Sequence, residues 1–264
     1  MNILQAALLG LFQGIAEFLP ISSSGHLLIM KELMGLEEVP ALFDVVLHVA
    51  TLFSILVVFR VRVGGIIRSM ARWAVRRSDA SDAENLAVVP PAVVATALTA
   101  GIGFAIQGAD FAFDARFAAG MLLVTAAALL LSSRLVGGAG FARLKPWHGV
   151  LTGVAQGIGT LPGVSRSGIT ISAGLASGMS REAAGEFSFL LAIPAIAGAL
   201  VLELKDFGEL AGSVPASALA VGSIAAFASG VAALLLLLPL VRRGKLAWFA
   251  AYLVPAGILG LILL

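Results

Sequence analysis

Three ionisable side chains stand among hydroxyl-rich turns in a chain that is otherwise apolar. Glu17 and His26 lie in FQGIAEFLPISSSGHL (residues 12–27), and Arg166 lies in AQGIGTLPGVSRSGIT (residues 155–170). Gln13 precedes Glu17 by one helical turn, so both project from one helix face. The segment Pro162-Gly163-Val164-Ser165-Arg166-Ser167-Gly168 joins two half-helices. It presents free backbone N–H groups at a helix start beside a guanidinium and the hydroxyls of Ser165 and Ser167. Such a constellation suits a phosphate. Pro20-Ile21-Ser22-Ser23-Ser24-Gly25-His26 repeats that logic with three hydroxyls and an imidazole. A lone serine in a membrane helix usually bonds back to the preceding turn. A Glu17–Arg166 pair by itself would be a packing device. Three serines ahead of Gly25-His26, beside Glu17, point instead to phosphate binding or proton transfer.

The two segments are copies of one another. Gln13-Gly14-Ile15 recurs as Gln156-Gly157-Ile158, and Ser24-Gly25 as Ser167-Gly168, both 143 residues on, while the Leu-Pro step slips by one residue. Thr160 stands where Glu17 would recur, and Arg166 corresponds to the neighbourhood of Ser23. The copies have specialised, one supplying an acid and the other a guanidinium.

Composition identifies the solvent around these motifs. With 59% hydrophobic and 12% charged residues and a mean hydropathy of +1.03, the chain is a polytopic helical membrane protein. Ionisable groups inside such a chain are costly and mark functional sites. Its pI near 9.4 belongs to the loops and is not a nucleic-acid signal. The absence of cysteine excludes disulfides, thiolate metal sites and cysteine nucleophiles. No cleaved signal peptide is expected, because the first apolar run lacks a basic start and contains Gln5, Gln13 and Glu17.

Six uninterrupted apolar stretches predict spans at residues 41–59, 86–106, 117–135, 183–202, 216–241 and 246–264. The connections at 60–84, 134–148 and 242–245 carry twelve Lys and Arg, whereas those at 31–40, 107–116 and 203–213 carry three. The basic group is therefore cytoplasmic. Residues 149–180 must then enter and leave on the cytoplasmic side as a re-entrant helix, loop and helix, and the first 40 residues dip in from outside. Each half is one re-entrant pair plus three spans. Residues 1–140 form a first repeat and 141–264 an inverted second one, within a single membrane domain whose polar loops meet near the midplane. Outside the copies, His48, Asp44 and Glu186 read as residues that orient helices or line the approach. Pro194, Pro239 and Pro255 read as kinks, and Trp73, Trp147, Trp248 and Tyr252 as interfacial or core aromatics.

The residues also carry a family resemblance. EFLPISSSGHL with Gln13 ahead of it, FDVVLHVATL (43–52), PGVSRSGIT (162–170) and EFSFLLAIPAI (186–196) resemble the undecaprenyl-diphosphate phosphatases of the bacitracin-resistance family, along essentially the whole chain. That family has Glu or Gln at the position of Gln13 and Glu at that of Glu17, so Gln13 leaves this motif one carboxylate. The resemblance implies hydrolysis of undecaprenyl diphosphate to undecaprenyl phosphate and inorganic phosphate, which recycles the carrier of peptidoglycan synthesis and confers bacitracin resistance. It also implies a divalent cation, Mg²⁺ or Ca²⁺, with Glu17 as one ligand, and a site facing outward from the bacterial cytoplasmic membrane.

Its substrate is a polyprenyl diphosphate lipid, among membrane lipids and with no nucleic acid; a homo-oligomer is left open. On this reading Glu17, Ser23, His26 and Arg166 are catalytic, while Gln13, Ser22, Ser24, Gly163, Ser165, Ser167, Gly168 and Thr170 bind substrate. Ser23 is the preferred nucleophile, Glu17 its base or a metal ligand, and His26 completes proton transfer; water or His26 as nucleophile would use the same residues. A phosphatidate-phosphatase site would need a histidine and an aspartate soon after Ser165-Arg166, and none occurs before Arg181. A transporter or flippase for a phosphorylated lipid is the standing alternative, because inverted repeats are a carrier architecture.

The charge asymmetry predicts that both termini lie outside. Cysteines placed at Asn2 and Leu264 should react with an impermeant thiol reagent in intact cells, and one at Ser78 should not. Labelling at residue 78 would overturn the topology.

Overall fold

A computed structural model describes residues 1–36, 41–109, 113–203 and 214–263; of the acidic connections expected at 31–40, 107–116 and 203–213, residues 37–40, 110–112 and 204–213 lie outside them. Among the described residues the chain is a sequence of helices without β-strands. They are α1 (Ile3–Phe18), α2 (Ser23–Leu33), α3 (Ala41–Val58), α4 (Arg60–Ala74), α5 (Ala83–Ala87), α6 (Val89–Gly108), α7 (Ala115–Ser133), α8 (Pro146–Ile158), α9 (Arg166–Ala176), α10 (Arg181–Glu203), α11 (Ala216–Arg242) and α12 (Ala247–Leu263).

Local chemistry sets the boundaries that matter for the polar motifs. Asn2 and Gln5 cap α1 reciprocally, each side chain bonding the other's backbone at 2.8 Å. The helix ends at Leu19, whose ψ of 137° is the extended conformation required before Pro20. In the second copy Ser165 is the N-cap of α9, its Oγ accepting from the Gly168 N–H at 3.2 Å.

Each of the six predicted spans coincides with a helix. The continuous stretch Ala80–Gly108 and helices α7, α10 and α11 are long and apolar enough to cross a membrane. Helix α3 passes that test together with α4, from which it is bent by 81°, and α1 and α12 are shorter apolar helices. The protein is an all-α polytopic membrane protein. One element departs from the sequence reading. Residues 60–84, a basic connection by sequence, contain α4 and the start of α5, because arginine is a good helix former and the arginines are divided between faces. Arg62 and Arg72 meet Glu84, Asp79 and Asp82, while Val63 and Ile66 pack against the core.

Packing is closest where small residues replace bulky ones. Helix α1 lies along α11 and α8 lies along α6, while α7 packs on α12 and α3 on both α10 and α11. A Cβ added at Gly10 would sit 2.0 Å from the Gly222 carbonyl oxygen, and one at Gly153 would sit 2.6 Å from the Ala95 Cα. Without a hydrophobic force between helices in lipid, such backbone approach is what holds them together. Beneath the polar motifs, Phe18 meets Phe189 edge-on at 5.8 Å and Phe59 stacks on Phe189 at 5.9 Å.

Gly10→Leu should therefore force α1 off α11. At about 1–3 kcal/mol for overpacking, it should lower the melting midpoint of the detergent-purified protein by several degrees. Gly64→Leu, where a Cβ meets nothing, should leave it unchanged. Equal melting of the two variants would show that α1 is not held by this seam.

Candidate active site

The two copied loops meet backbone to backbone. A Cβ on Gly25 would lie 2.8 Å from the Gly163 Cα, and one on Gly168 would lie 3.1 Å from the Pro20 Cβ. Gly163 has φ +86°, open to glycine, and a Cβ there would sit 2.0 Å from the Ala118 carbonyl oxygen, so no other residue fits. Across the contact, Ser22 holds a left-handed φ of 71°, a costly conformation for a residue with a side chain and one that clusters at functional sites. That turn starts α2 at Ser23 as Ser165 starts α9 at Arg166. Two helix N-termini, each with first-turn N–H groups that lack intrahelical acceptors, thus belong to loops in contact.

Glu17 is the hub. It is buried at the end of α1 and collects partners from four segments. Arg166 of α9 bonds Oε1. On Oε2, Gln13 donates from Nε2 at 3.0 Å and Ser23 donates from Oγ at 2.8 Å, and His48 Nε2 of α3 stands 3.3 Å away. The His48 Nδ1 lies 2.7 Å from the Asp44 carbonyl oxygen, which can only accept, so that nitrogen carries a proton. The other ring nitrogen, Nε2, faces the same carboxylate oxygen to which Ser23 donates.

Most residues singled out in the sequence are brought together. Gln13 is fully buried behind Glu17, and Ser22 and Ser23 are buried at the turn. Ser24 is half-buried at the second position of α2. Ser165 Oγ lies 3.3 Å from Ser167 Oγ, and the Ser165 N–H donates to Thr125 Oγ1 at 2.9 Å. Thr170 donates to the Arg166 carbonyl at 2.7 Å and meets the Ser188 hydroxyl of α10. Glu17, Arg166, Ser167 and Ser188 line a narrow cavity with Phe18, Phe189 and Ala192.

His26 is engaged elsewhere. Its Nδ1 lies 2.8 Å from the Ser22 carbonyl oxygen and its Nε2 lies 2.7 Å from the Tyr252 hydroxyl, and its ring stacks on Tyr252 at 5.7 Å. It braces the strained turn against α12, and the imidazole against Glu17 is that of His48. Sequence reading set His48 aside because it lies outside the copies. The available signal was its one-turn spacing from Asp44 on an apolar helix, which places two polar groups on one face. Tyr252, read as an interfacial or core aromatic, is the partner of His26. Asp44 pairs with Lys31 at 2.7 Å, and Glu186 lies 3.5 Å and 3.6 Å from Arg62 and Arg242, so both tie helices together.

The donor set does not fit a resident divalent cation. Mg²⁺ and Ca²⁺ take six or more oxygen ligands. Among the described residues no three His, Asp or Glu side chains are grouped to hold a metal. Both oxygens of Glu17 are engaged, and the Gln13 Oε1, buried without a partner, is one amide oxygen. Glu17 as a metal ligand thus lacks companions. What the cluster offers is a hydroxyl beside a carboxylate, a guanidinium, and helix-start N–H groups, the parts needed to bind a phosphoryl group and attack it.

Comparison with known proteins places the whole chain in one family. The model of the family described as bacitracin resistance protein BacA matches residues 6–259. An undecaprenyl-diphosphatase of Treponema denticola is 43% identical over 98% of this chain and 96% of its own length. Those of Carboxydothermus hydrogenoformans and Desulfosudis oleivorans are 39% and 41% identical, over 100% and 96% of this chain and 98% and 95% of theirs. The matched region holds every member of the Glu17 cluster and both copied loops, and the chain belongs to the bacitracin resistance protein BacA family.

Proposed function

We infer that the protein is an undecaprenyl-diphosphatase, a membrane hydrolase releasing inorganic phosphate from undecaprenyl diphosphate and leaving undecaprenyl phosphate. The observation that carries this reading is the bond from Ser23 Oγ to Glu17 Oε2, with Arg166 on the other oxygen of the same carboxylate. A carrier needs affinity alone, whereas this site pairs a hydroxyl with a base.

The diphosphate enters between the starts of α2 and α9. There the N–H groups and the free donors of Arg166 neutralise its oxygens, the guanidinium exchanging part of its pairing with Glu17 for phosphate. Ser23 Oγ attacks the terminal phosphorus as Glu17 takes the hydroxyl proton, and the bond from that phosphorus to the bridging oxygen breaks, releasing undecaprenyl phosphate. Glu17 passes that proton to the departing undecaprenyl phosphate; the restored carboxylate then takes a proton from water as the water oxygen bonds the phosphoserine phosphorus, the bond from phosphorus to Ser23 Oγ breaks, and that proton is delivered to Ser23 Oγ, freeing inorganic phosphate. His26 is disfavoured as nucleophile because both its ring nitrogens are engaged. A divalent cation would supply shielding of the diphosphate charge, arriving with the substrate rather than being held by this chain's own residues.

The same reading covers architecture and place. The pairing of α1 with α11 and of α8 with α6 is an exchange between halves, as two interlocked inverted repeats would give. Glycines 10 and 14 of α1 recur as glycines 153 and 157 of α8, at the offset of the polar motifs. We place the protein in the bacterial cytoplasmic membrane with the site open outward, recycling the lipid carrier of peptidoglycan synthesis and conferring bacitracin resistance.

Purified protein in detergent, without a membrane gradient, should release phosphate from undecaprenyl diphosphate. Ser23→Ala and Glu17→Gln should lower kcat about a hundredfold or more, on the scale of general base catalysis, with lipid binding retained. Arg166→Lys should lose most activity, because an ammonium cannot reproduce the guanidinium fork. Full kcat in Ser23→Ala would replace serine attack by direct attack of water, and full activity in both Ser23→Ala and Glu17→Gln would place the chemistry on other residues; absence of phosphate release by the wild-type protein would return it to the carrier class. A separate expectation concerns His48. His48→Leu should cut kcat by about tenfold or more with little change in KM, and His48→Gln, which keeps a donor toward Glu17, should recover part of it. Equal kcat for Leu and wild type would reduce His48 to a packing residue.

A further inference from the structure

Helix α4 is not used by the site, and its surface is unusual for a helix that is neither a span nor core. It turns 81° away from α3 directly after that apolar helix ends, an angle that would lay it along the bilayer surface if α3 crosses. One face is latched to the protein. Arg62 bonds Glu84 at 2.8 Å and covers the Phe141 ring at 4.2 Å, and Ser69 donates to Asp82 at 2.8 Å. Its apolar side carries Val63 and Ile66, which pack against the core, and beside them Ile67, Met70 and Trp73, spaced three apart and 62%, 43% and 65% exposed. Arg60 and Arg68 are exposed, Arg60 also donating to the Val57 carbonyl at 3.1 Å, and the exposed Arg76 and Arg77 follow the helix. Asp79, Asp82 and Glu84 engage Arg72 and Arg62. Among the described residues no acid pairs with the other four arginines.

Ile67, Met70 and Trp73 would be exposed to water if the helix stood clear of the membrane. Laid in the interface, they enter the acyl boundary and the tryptophan sits at headgroup level, where its amphipathic ring is favoured. The arginines then reach the phosphates above them. The four unpaired guanidiniums make that contact selective, since a headgroup with net negative charge complements them and a zwitterionic one does not.

The geometry points to α4 as an in-plane membrane anchor that recruits anionic phospholipid headgroups through Arg60, Arg68, Arg76 and Arg77. The site chemistry plays no part in it, so its test is independent of turnover.

The chain has three tryptophans, and Trp147→Phe with Trp248→Phe leaves Trp73 as the sole reporter. This variant, reconstituted in phosphatidylcholine vesicles, should be quenched by lipid brominated near the headgroup end of the acyl chain and protected from aqueous iodide. At equal mole fraction, brominated phosphatidylglycerol should occupy the Trp73 site about threefold or more in preference to brominated phosphatidylcholine. High salt, or Arg60→Gln with Arg68→Gln, Arg76→Gln and Arg77→Gln, should remove that preference without altering activity in detergent. Iodide quenching without bromine quenching would place the helix off the bilayer and overturn the proposal. Protection from both would mean that protein covers the face, and equal quenching by the two lipids would remove the anionic selectivity. Either of these also defeats the proposal.

Discussion

A carboxylate inside a membrane domain must be surrounded by groups that compensate it, and the position of Glu17 governs the rest of this structure. Ionisable groups within the bilayer cost several kcal/mol unless paired or hydrogen-bonded. Glu17 is met by a guanidinium, an amide, a hydroxyl and an imidazole from four segments. Each partner fixes an element: Gln13 sets the rotation of α1, Ser23 the start of α2, His48 the rotation of α3, and Arg166 the docking of α9. The compensation that makes the acid tolerable also makes it reactive. The hydroxyl that satisfies one lone pair is the group a base would deprotonate, and the guanidinium is the group a phosphate would seek.

The small-residue seams serve that arrangement. Helices α1 and α8 are 16 and 13 residues long, too short to cross, and each stops at a proline-bearing turn whose backbone must be satisfied within the protein. Glycine at the helix contacts lets α11 and α6 approach closely enough to bury these half-helices, while glycine in the turns lets the two loops touch.

Much of this was legible in the chain. The copied motifs, the six apolar runs and the specialisation of acid against guanidinium are local or periodic signals, and the helices and the Glu17–Arg166 contact follow them. The role of His48 was not legible, because its encounter with Glu17 depends on the rotation of α3 against α1 and no repeat marks it. His26 shows the converse: proximity in sequence to Glu17 suggested proximity in space, but the left-handed turn at Ser22 directs its imidazole to Tyr252 on the last helix. Helix α4 escaped notice because six arginines between residues 60 and 84 dominate composition, while their division between a latched face and an open one exists only in three dimensions.

The ion pair between Glu17 and Arg166 spans 149 residues of sequence, and this distance has a consequence for biogenesis. At roughly 5–20 residues per second, the ribosome needs on the order of ten seconds after making Glu17 before it makes the guanidinium that will face it. During that interval the amino-terminal half holds an acid among apolar helices without its cation. Gln13, Ser23 and His48 all belong to that half, so the nascent chain already carries three groups able to solvate the carboxylate. Arg166 then arrives at a prepared receptor, and the attraction between the two charges favours docking of the later half onto the earlier one.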